Sequence, residues 1–272
     1  MSEMLSDATF KEMRDFIYAE SGISFTESNR TILESRLKEK LRVLKEETPE
    51  SYLRRLKRDK EETKSFLDAI TTNLTRFFRN QAHYDTFINY VIPDLIKYKT
   101  PKNNKVIKLW SAGCSTGEEP YTNAMVLKEH LPSDWKIEVV ASDLSLKSLM
   151  TAKTGFYPSS RVSGIPEKYL NKYFDKVDGG YKVNETIKKL VRFDYHNLKN
   201  DSGLKDLDIV FCRNVLIYFD EAAQKNVINH FWNAMTSHSY LFIGHSESLF
   251  GMDTKFKFIK TDWACIYGKL ED

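Results

Sequence analysis

The sequence predicts an α/β protein: a mostly parallel sheet covered by helices on both faces, preceded by a small all-helical unit and carrying a small antiparallel β excursion. Short β-type runs alternate with amphipathic helices after about residue 100, which is the pattern of a parallel sheet. Before residue 70 the apolar residues instead repeat at three and four. Gly179-Gly180 lies between two β-prone runs and predicts a tight antiparallel turn. The domain boundaries expected from these changes are 1–70 for the helical unit and 71–272 for the sheet unit, with the β excursion near 173–193.

Within the helical unit, Thr9 to Ala19 places Phe10, Met13, Phe16 and Ile17 on one face, with Gly22 as the stop. Leu33, Leu37, Leu41 and Leu44 mark a second helix, and Thr48-Pro49-Glu50 reads as an N-cap followed by proline in the first turn. Phe66, Ile70 and Leu74 repeat every four and predict a further helix. Between Glu34 and Lys64 there are eleven Lys and Arg against eight Asp and Glu, an excess equal to the formal charge of +3 for the whole chain. Within that stretch, Arg54, Arg55, Lys57 and Arg58 form a basic cluster. It is either a solvated face with partners such as Glu61 and Glu62 or a docking surface for an acidic partner. Only Tyr52 accompanies it as an aromatic, which disfavours a stacking platform for single-stranded nucleic acid.

The sheet unit opens with the run Val106–Trp110, followed by a turn of small residues from Ser111 to Gly117 and a helix from Glu118 to about Leu131. Further strands are expected at Ile137–Ala141, Lys189–Phe193, Leu207–Cys212 and Tyr240–Gly244, with a helix at Glu221–Met235. The stretch Phe256–Tyr267 reads as a returning antiparallel strand.

Apolar residues at 41% and aromatics at 13% suffice for a packed core. No apolar run reaches the roughly 18 residues of a membrane span, and the N-terminus shows neither the basic nor the apolar region of a secretory signal. Cys114, Cys212 and Cys265 are each isolated, so neither a disulfide framework nor a CxxC metal site is expected, and a reducing, cytoplasmic compartment is. The six histidines show no metal-ligand spacing.

The turn Gly113–Gly117 carries the first chemistry. A strand, a glycine-rich turn and a helix N-terminus let a ligand approach the backbone closely. A P-loop requires Lys-Ser/Thr after its second glycine, whereas Glu118-Glu119 follows here and would repel a triphosphate. The dinucleotide pattern G-x-G-x-x-G is also absent. A ligand with cationic groups and no phosphate fits, and S-adenosylmethionine is such a ligand. Asp143, at the end of the next strand, suits its ribose hydroxyls. A surface turn with a helix-capping glutamate remains the alternative.

Six blocks then resemble the chemotaxis receptor methyltransferases, the CheR family: TTNLTRFFRN (71–80), SAGCSTGEEPY (111–121), ASDLS (141–145), FDYHNL (193–198), DIVFCRNVLIYFD (208–220) and FIGHSESL (242–249). The resemblance implies a Rossmann-like class I methyltransferase sheet that uses S-adenosylmethionine, yields S-adenosylhomocysteine and requires no metal. The activity it implies is O-methylation of glutamate carboxylates on the cytoplasmic helices of chemoreceptors, by a cytoplasmic monomer working beside its membrane-bound substrates. Carried over by position, it implies cofactor contacts at Asn73, Thr75, Arg79, Gly113, Glu118, Asp143, Asn197, Leu198, Arg213 and Asn214. Glu118 is the expected partner of the methionine ammonium. Arg79 is the expected clamp for the reacting carboxylate, and Tyr218 lies close to the methyl group. Arg54, Arg55 and Arg58 become candidates for receptor docking. Cys114 departs from the family's small apolar residue, but cysteine is small enough to keep the loop.

Two other classes are disfavoured. A nucleic-acid methyltransferase would want a base-flipping tetrad, which the sequence lacks, and a non-catalytic sensor would have no need for Arg79 or Tyr218. His245-Ser246-Glu247 holds hydrolase-type residues. Consecutive positions cannot form a triad, so a structural or loop-ordering role is expected. Cys212, in an apolar strand, is expected to be a small buried residue. The β excursion grips a receptor's terminal peptide in some family members, but the short loop here argues against tethering.

Overall fold

A computed structural model of the chain describes residues 4–71 and 74–270. In the helical unit, α1 (Asp7–Ser21) starts at Ser6, whose hydroxyl accepts the Thr9 amide, and ends at Gly22 in the left-handed region. Helix α2 (Arg30–Leu44) buries Leu33 and Leu37, while Leu41 and Leu44 pack at the core's edge. Helix α3 (Pro49–Leu56) has the expected Thr48 cap and N-terminal proline, and α4 (Lys60–Ile70) is capped by Asp59. The spacing that would extend α4 to Leu74 is misleading. The helix stops at Ile70, and Leu74 stands 76% exposed in the following segment.

Next, α5 (Gln81–Thr86) continues through a π-helical turn at Phe87–Val91 into α6 (Ile92–Lys99). The wide turn lets adjacent Val91 and Ile92 both be buried and breaks the 3.6-residue period by which a helix is read. The strands of the large sheet are β1 (Val106–Ala112), β2 (Lys136–Asp143), β6 (Val191–Tyr195), β7 (Leu207–Cys212), β8 (Met235–Ile243), β9 (Lys257–Lys260) and β10 (Cys265–Lys269). Their order is β6-β2-β1-β7-β8-β10-β9. The first five pair in parallel, and β10 is antiparallel to both β8 and β9. The expected mostly parallel, Rossmann-like sheet is therefore present, with one correction. Phe256–Tyr267 is not a single strand, because Thr261 turns the chain by bonding Ala264, and two strands result. Helices α7 (Glu118–His130) and α8 (Leu146–Thr154) belong to one side, whereas α12 (Glu221–Ala234) packs in the core on the opposite face.

Between them lies the small sheet, β3 (Phe156–Pro158), β4 (Phe174–Val177) and β5 (Gly180–Val183), in the order β3-β5-β4 and all antiparallel. Short helices α9 (Ser159–Val162), α10 (Glu167–Tyr173) and α11 (Glu185–Lys188) accompany it. The excursion thus spans 156–183 rather than 173–193, since β3 lies upstream and Val191 onward joins the large sheet. Gly180 is obligatory, because a Cβ there would lie 2.3 Å from the Tyr157 carbonyl oxygen on β3.

The two units meet at a seam. Ile23 and Phe219 form an antiparallel bridge, and the Ser24 amide donates to the Tyr218 carbonyl at 2.8 Å. Asn197 Nδ2 donates to the Glu20 carbonyl at 2.9 Å, and Asp68 on α4 accepts from the Ser145 hydroxyl before α8. Among the described residues no helix is long and apolar enough to cross a membrane.

Candidate functional site

Strand order reverses between β1 and β7: β2 and β6 lie to one side of β1, and the chain then crosses back to β7 on the other. At such a switch point the loops leaving adjacent strands diverge and open a crevice at their C-terminal ends. A cleft lies there, and the seam with the helical unit closes one side of it. Gly113, Asp143, Arg213 and Asn214 line it from the strand ends, and Ser21, Ile23, Phe25, Asn29 and Ile32 line it from the helical unit.

Gly113 has φ 80°, and its amide donates to the Ser142 carbonyl at 2.8 Å. A Cβ on it would sit 2.5 Å from Val215 Cγ2, so only glycine lets the loops after β1 and β7 touch. Cys114 beside it is buried, as its small volume allows. Asp143 Oδ2 accepts the Ser115 amide at 2.7 Å, and Oδ1 accepts the Ser145 amide at 2.8 Å. Burial nevertheless outweighs these two bonds and raises the Asp143 carboxyl above its ordinary range.

The two glutamates that open α7 have opposite fates. Glu118 is fully buried and faces away from the cleft. Its carboxylate accepts from the Arg161 guanidinium, with the Nε bond at 3.1 Å, and from the Thr116 hydroxyl at 2.7 Å. Arg161 lies on α9, and Tyr157 of β3 donates to the Thr116 carbonyl at 2.6 Å. Glu118 is thus held by the small sheet's side of the fold, which corrects its expected role toward the methionine ammonium. Glu119 lines the cleft instead. It accepts from the Ser111 hydroxyl at 2.8 Å and lies 3.6 Å from Arg213 Nη1. Burial raises its carboxyl, and the Arg213 charge partly offsets that.

Arg213 is buried, its guanidinium over the Tyr84 ring, and it donates to the Arg79 carbonyl. Its Nε and Nη1 are buried without a hydrogen-bond partner, which leaves donors for an anionic group of a ligand. Asn214 follows at φ 60°, and the turn Leu216–Tyr218 brings Tyr218 to the cleft wall. Arg79 and Thr75 also line the cleft, and Arg79 Nη1 donates to the Leu74 carbonyl at 2.9 Å. Asn197 and Leu198 line the side below Asp143. Asn73 lies outside the described residues.

The structure therefore brings Thr75, Arg79, Gly113, Asp143, Asn197, Leu198, Arg213, Asn214 and Tyr218 to one cleft and leaves Glu118 out of it. Arg54, Arg55 and Arg58 belong to α3 and its C-terminal turn, which contribute no lining residue. Arg55 pairs with Glu46 at 3.4 Å and Lys57 with Glu12 at 2.5 Å, rather than with Glu61 or Glu62. Sequence reasoning missed Glu119 and the wall from Ser21 to Ile32. The doubled glutamate signals one cleft carboxylate without saying which, and the wall has no motif. Among the described residues no cluster of His, Cys, Asp and Glu side chains is gathered around a metal-sized space.

Residues 73–265 match the family description "CheR methyltransferase, SAM binding domain", and residues 8–71 match "CheR methyltransferase, all-alpha domain". The chain is 37% identical over 243 residues to the chemotaxis protein methyltransferase of Borreliella burgdorferi, covering 86% of each protein. It is 33% identical over 254 residues to chemotaxis protein methyltransferase 2 of Vibrio cholerae, covering 90% of this chain and 87% of the relative. With the chemotaxis protein methyltransferase of Vibrio parahaemolyticus the identity is 32% over 275 residues and 97% of each chain. Both units of the fold, and the cleft between them, thus lie within matched sequence, and the chain belongs to the CheR methyltransferase family.

Proposed function

We propose that this chain methylates glutamate side-chain carboxylates on the cytoplasmic helices of chemoreceptors, giving glutamate methyl esters that adjust receptor signalling. The observation that carries the proposal is a cleft holding two kinds of charge: the carboxylates of Asp143 and Glu119 and the guanidinium groups of Arg79 and Arg213. S-adenosylmethionine fits it. Asp143 would take the ribose hydroxyls, Glu119 the ammonium, and the Arg213 guanidinium, whose Nε and Nη1 make no hydrogen bond, the carboxylate, while Gly113 admits the ligand to the backbone. When bound, it supplies an activated methyl group on a sulfonium.

A glutamate carboxylate is already ionised at neutral pH, so no side chain of the protein needs to remove a proton. What these residues must do is align the carboxylate and keep water out. The Arg79 guanidinium, a planar fork at the rim, holds the incoming carboxylate. The Tyr218 hydroxyl orients it without transferring a proton. Ile23, Phe25, Ile70 and Ile217 give the cleft apolar walls. The reaction takes place in the cytoplasm, with the enzyme acting as a monomer.

The test is incubation with methyl-labelled S-adenosylmethionine and membranes that contain receptors, followed by mild base. Label on receptor that is released by base is a methyl ester and supports the proposal. Label that resists base, or that appears on nucleic acid, sinks it.

A further inference from the structure

We infer that Glu247 is a positioning residue for methyl transfer: its carboxylate ties the end of β8 to the Arg213–Tyr218 segment and holds that segment in its working shape. The inference rests on the reading of Arg213, Asn214 and Tyr218 as site residues. Glu247 does not itself line the cleft. Its Oε2 accepts the Asn214 amide at 2.8 Å and the Gly244 amide, and its Oε1 accepts the Ile217 amide at 3.2 Å. Three backbone donors from two loops therefore converge on one carboxylate.

The surroundings are built for this bond set. Asn214 holds φ 60°, a left-handed conformation that asparagine adopts more readily than most residues, and this turn presents its amide to the Glu247 carboxylate. Gly244 admits the carboxylate, since a Cβ would lie 2.5 Å from Glu247 Oε2 and 2.8 Å from the Asn214 amide nitrogen. Gln224 Nε2 adds a second tie from α12, donating to the Leu216 and Phe219 carbonyls at 2.9 and 3.0 Å. The carboxylate holds the segment's amides at Asn214 and Ile217, and it is the part that ionic chemistry strengthens.

Glutamine in place of Glu247 keeps the volume but has a single acceptor oxygen, so its NH2 must face at least one of these donors. Glu247→Gln should lower kcat for receptor methylation about tenfold or more and weaken S-adenosylhomocysteine binding several-fold. The KM for receptor should stay near native. Hydrogen exchange on the ligand-free protein should speed up at the Asn214 and Ile217 amides, a readout independent of catalysis. If Glu247→Gln does not fold, Glu247→Asp keeps the charge but draws the carboxylate back by one methylene, away from the Asn214 and Ile217 amides, and is read the same way. Native kcat in a folded variant overturns the inference, whether or not the amides loosen. So does a fall in kcat with native protection of both amides. If the native chain fails to methylate receptor, the reading of the site falls first. The exchange and S-adenosylhomocysteine measurements then decide on Glu247 alone: loosened amides with weakened binding support it, and either one unchanged overturns it.

Discussion

The sheet-side wall of the cleft and its helical-side wall are held in different ways. On the sheet side several groups are fixed by bonds to main-chain amides at the strand ends: the Gly113 amide to the Ser142 carbonyl, Asp143 to the Ser115 and Ser145 amides, and the Asn214 amide to the Glu247 carboxylate. The helical wall is a connection between α1 and α2 whose bonds are mostly local, such as the Ile23 amide to the Ser21 hydroxyl and the Thr26 amide to Asn29. Its ties to the sheet unit here are the Ile23–Phe219 bridge and the Ser24 bond to Tyr218. The sheet-side wall is therefore tied into the sheet unit, and the helical wall is the more locally held of the two. Substitutions on the two walls should separate turnover and cofactor affinity from the KM for receptor.

The largest expected effect is that of Arg79→Ala, which removes a charged clamp while leaving the carbonyl that holds Arg213 in place. Initial rates with labelled methyl donor should fall by about 100-fold, and Tyr218→Phe, which deletes a neutral hydrogen bond, should cost only about tenfold. A more damaging Tyr218→Phe would reverse the assignment of the two roles. Asp143→Ala should weaken S-adenosylhomocysteine by about 1–3 kcal/mol in calorimetry, and an unchanged affinity would remove Asp143 from the site.

Acidification tests the same wall more gently. Burial raises the Asp143 and Glu119 carboxyls, so each takes up its proton at a higher pH than an ordinary carboxylate and then loses the charge that attracts an ammonium. Affinity for S-adenosylhomocysteine should decline as pH falls through that raised range, and Glu119→Gln should flatten the decline. The smallest effect belongs to the helical side. Reversing exposed Arg54 and Arg58 to Glu should leave cofactor affinity alone and raise the KM for receptor a few-fold, less so as salt screens the charges. A normal KM at low salt would make this cluster a solvated face.

Legibility in the sequence followed how one-sided each environment is. Strand β7 was readable residue for residue because Leu207–Cys212 is buried throughout and bounded by polar residues. The Thr48 cap acts within three residues of itself. Glu118 and Glu119 were not separable. Adjacent helix positions point about 100° apart, and α7 is buried around most of its circumference, so no polar face marks which carboxylate meets the cleft. Strand β3 is three residues ending in proline, too short for any period, and exists because β5 pairs with it. Glu247 was read as structural or loop-ordering, but its bonds to amides thirty and thirty-three residues away leave no trace in spacing.

One consequence follows from where the two units join. The two family matches meet at residues 71 and 73, and Thr71, Leu74, Thr75 and Arg79 all line the cleft. The junction is thus part of the working surface rather than a tether between independent modules. A gene fusion that supplied a foreign helical unit at this point would replace one wall of the cleft and disturb its rim together, so a chimera has to keep the native junction with the native wall.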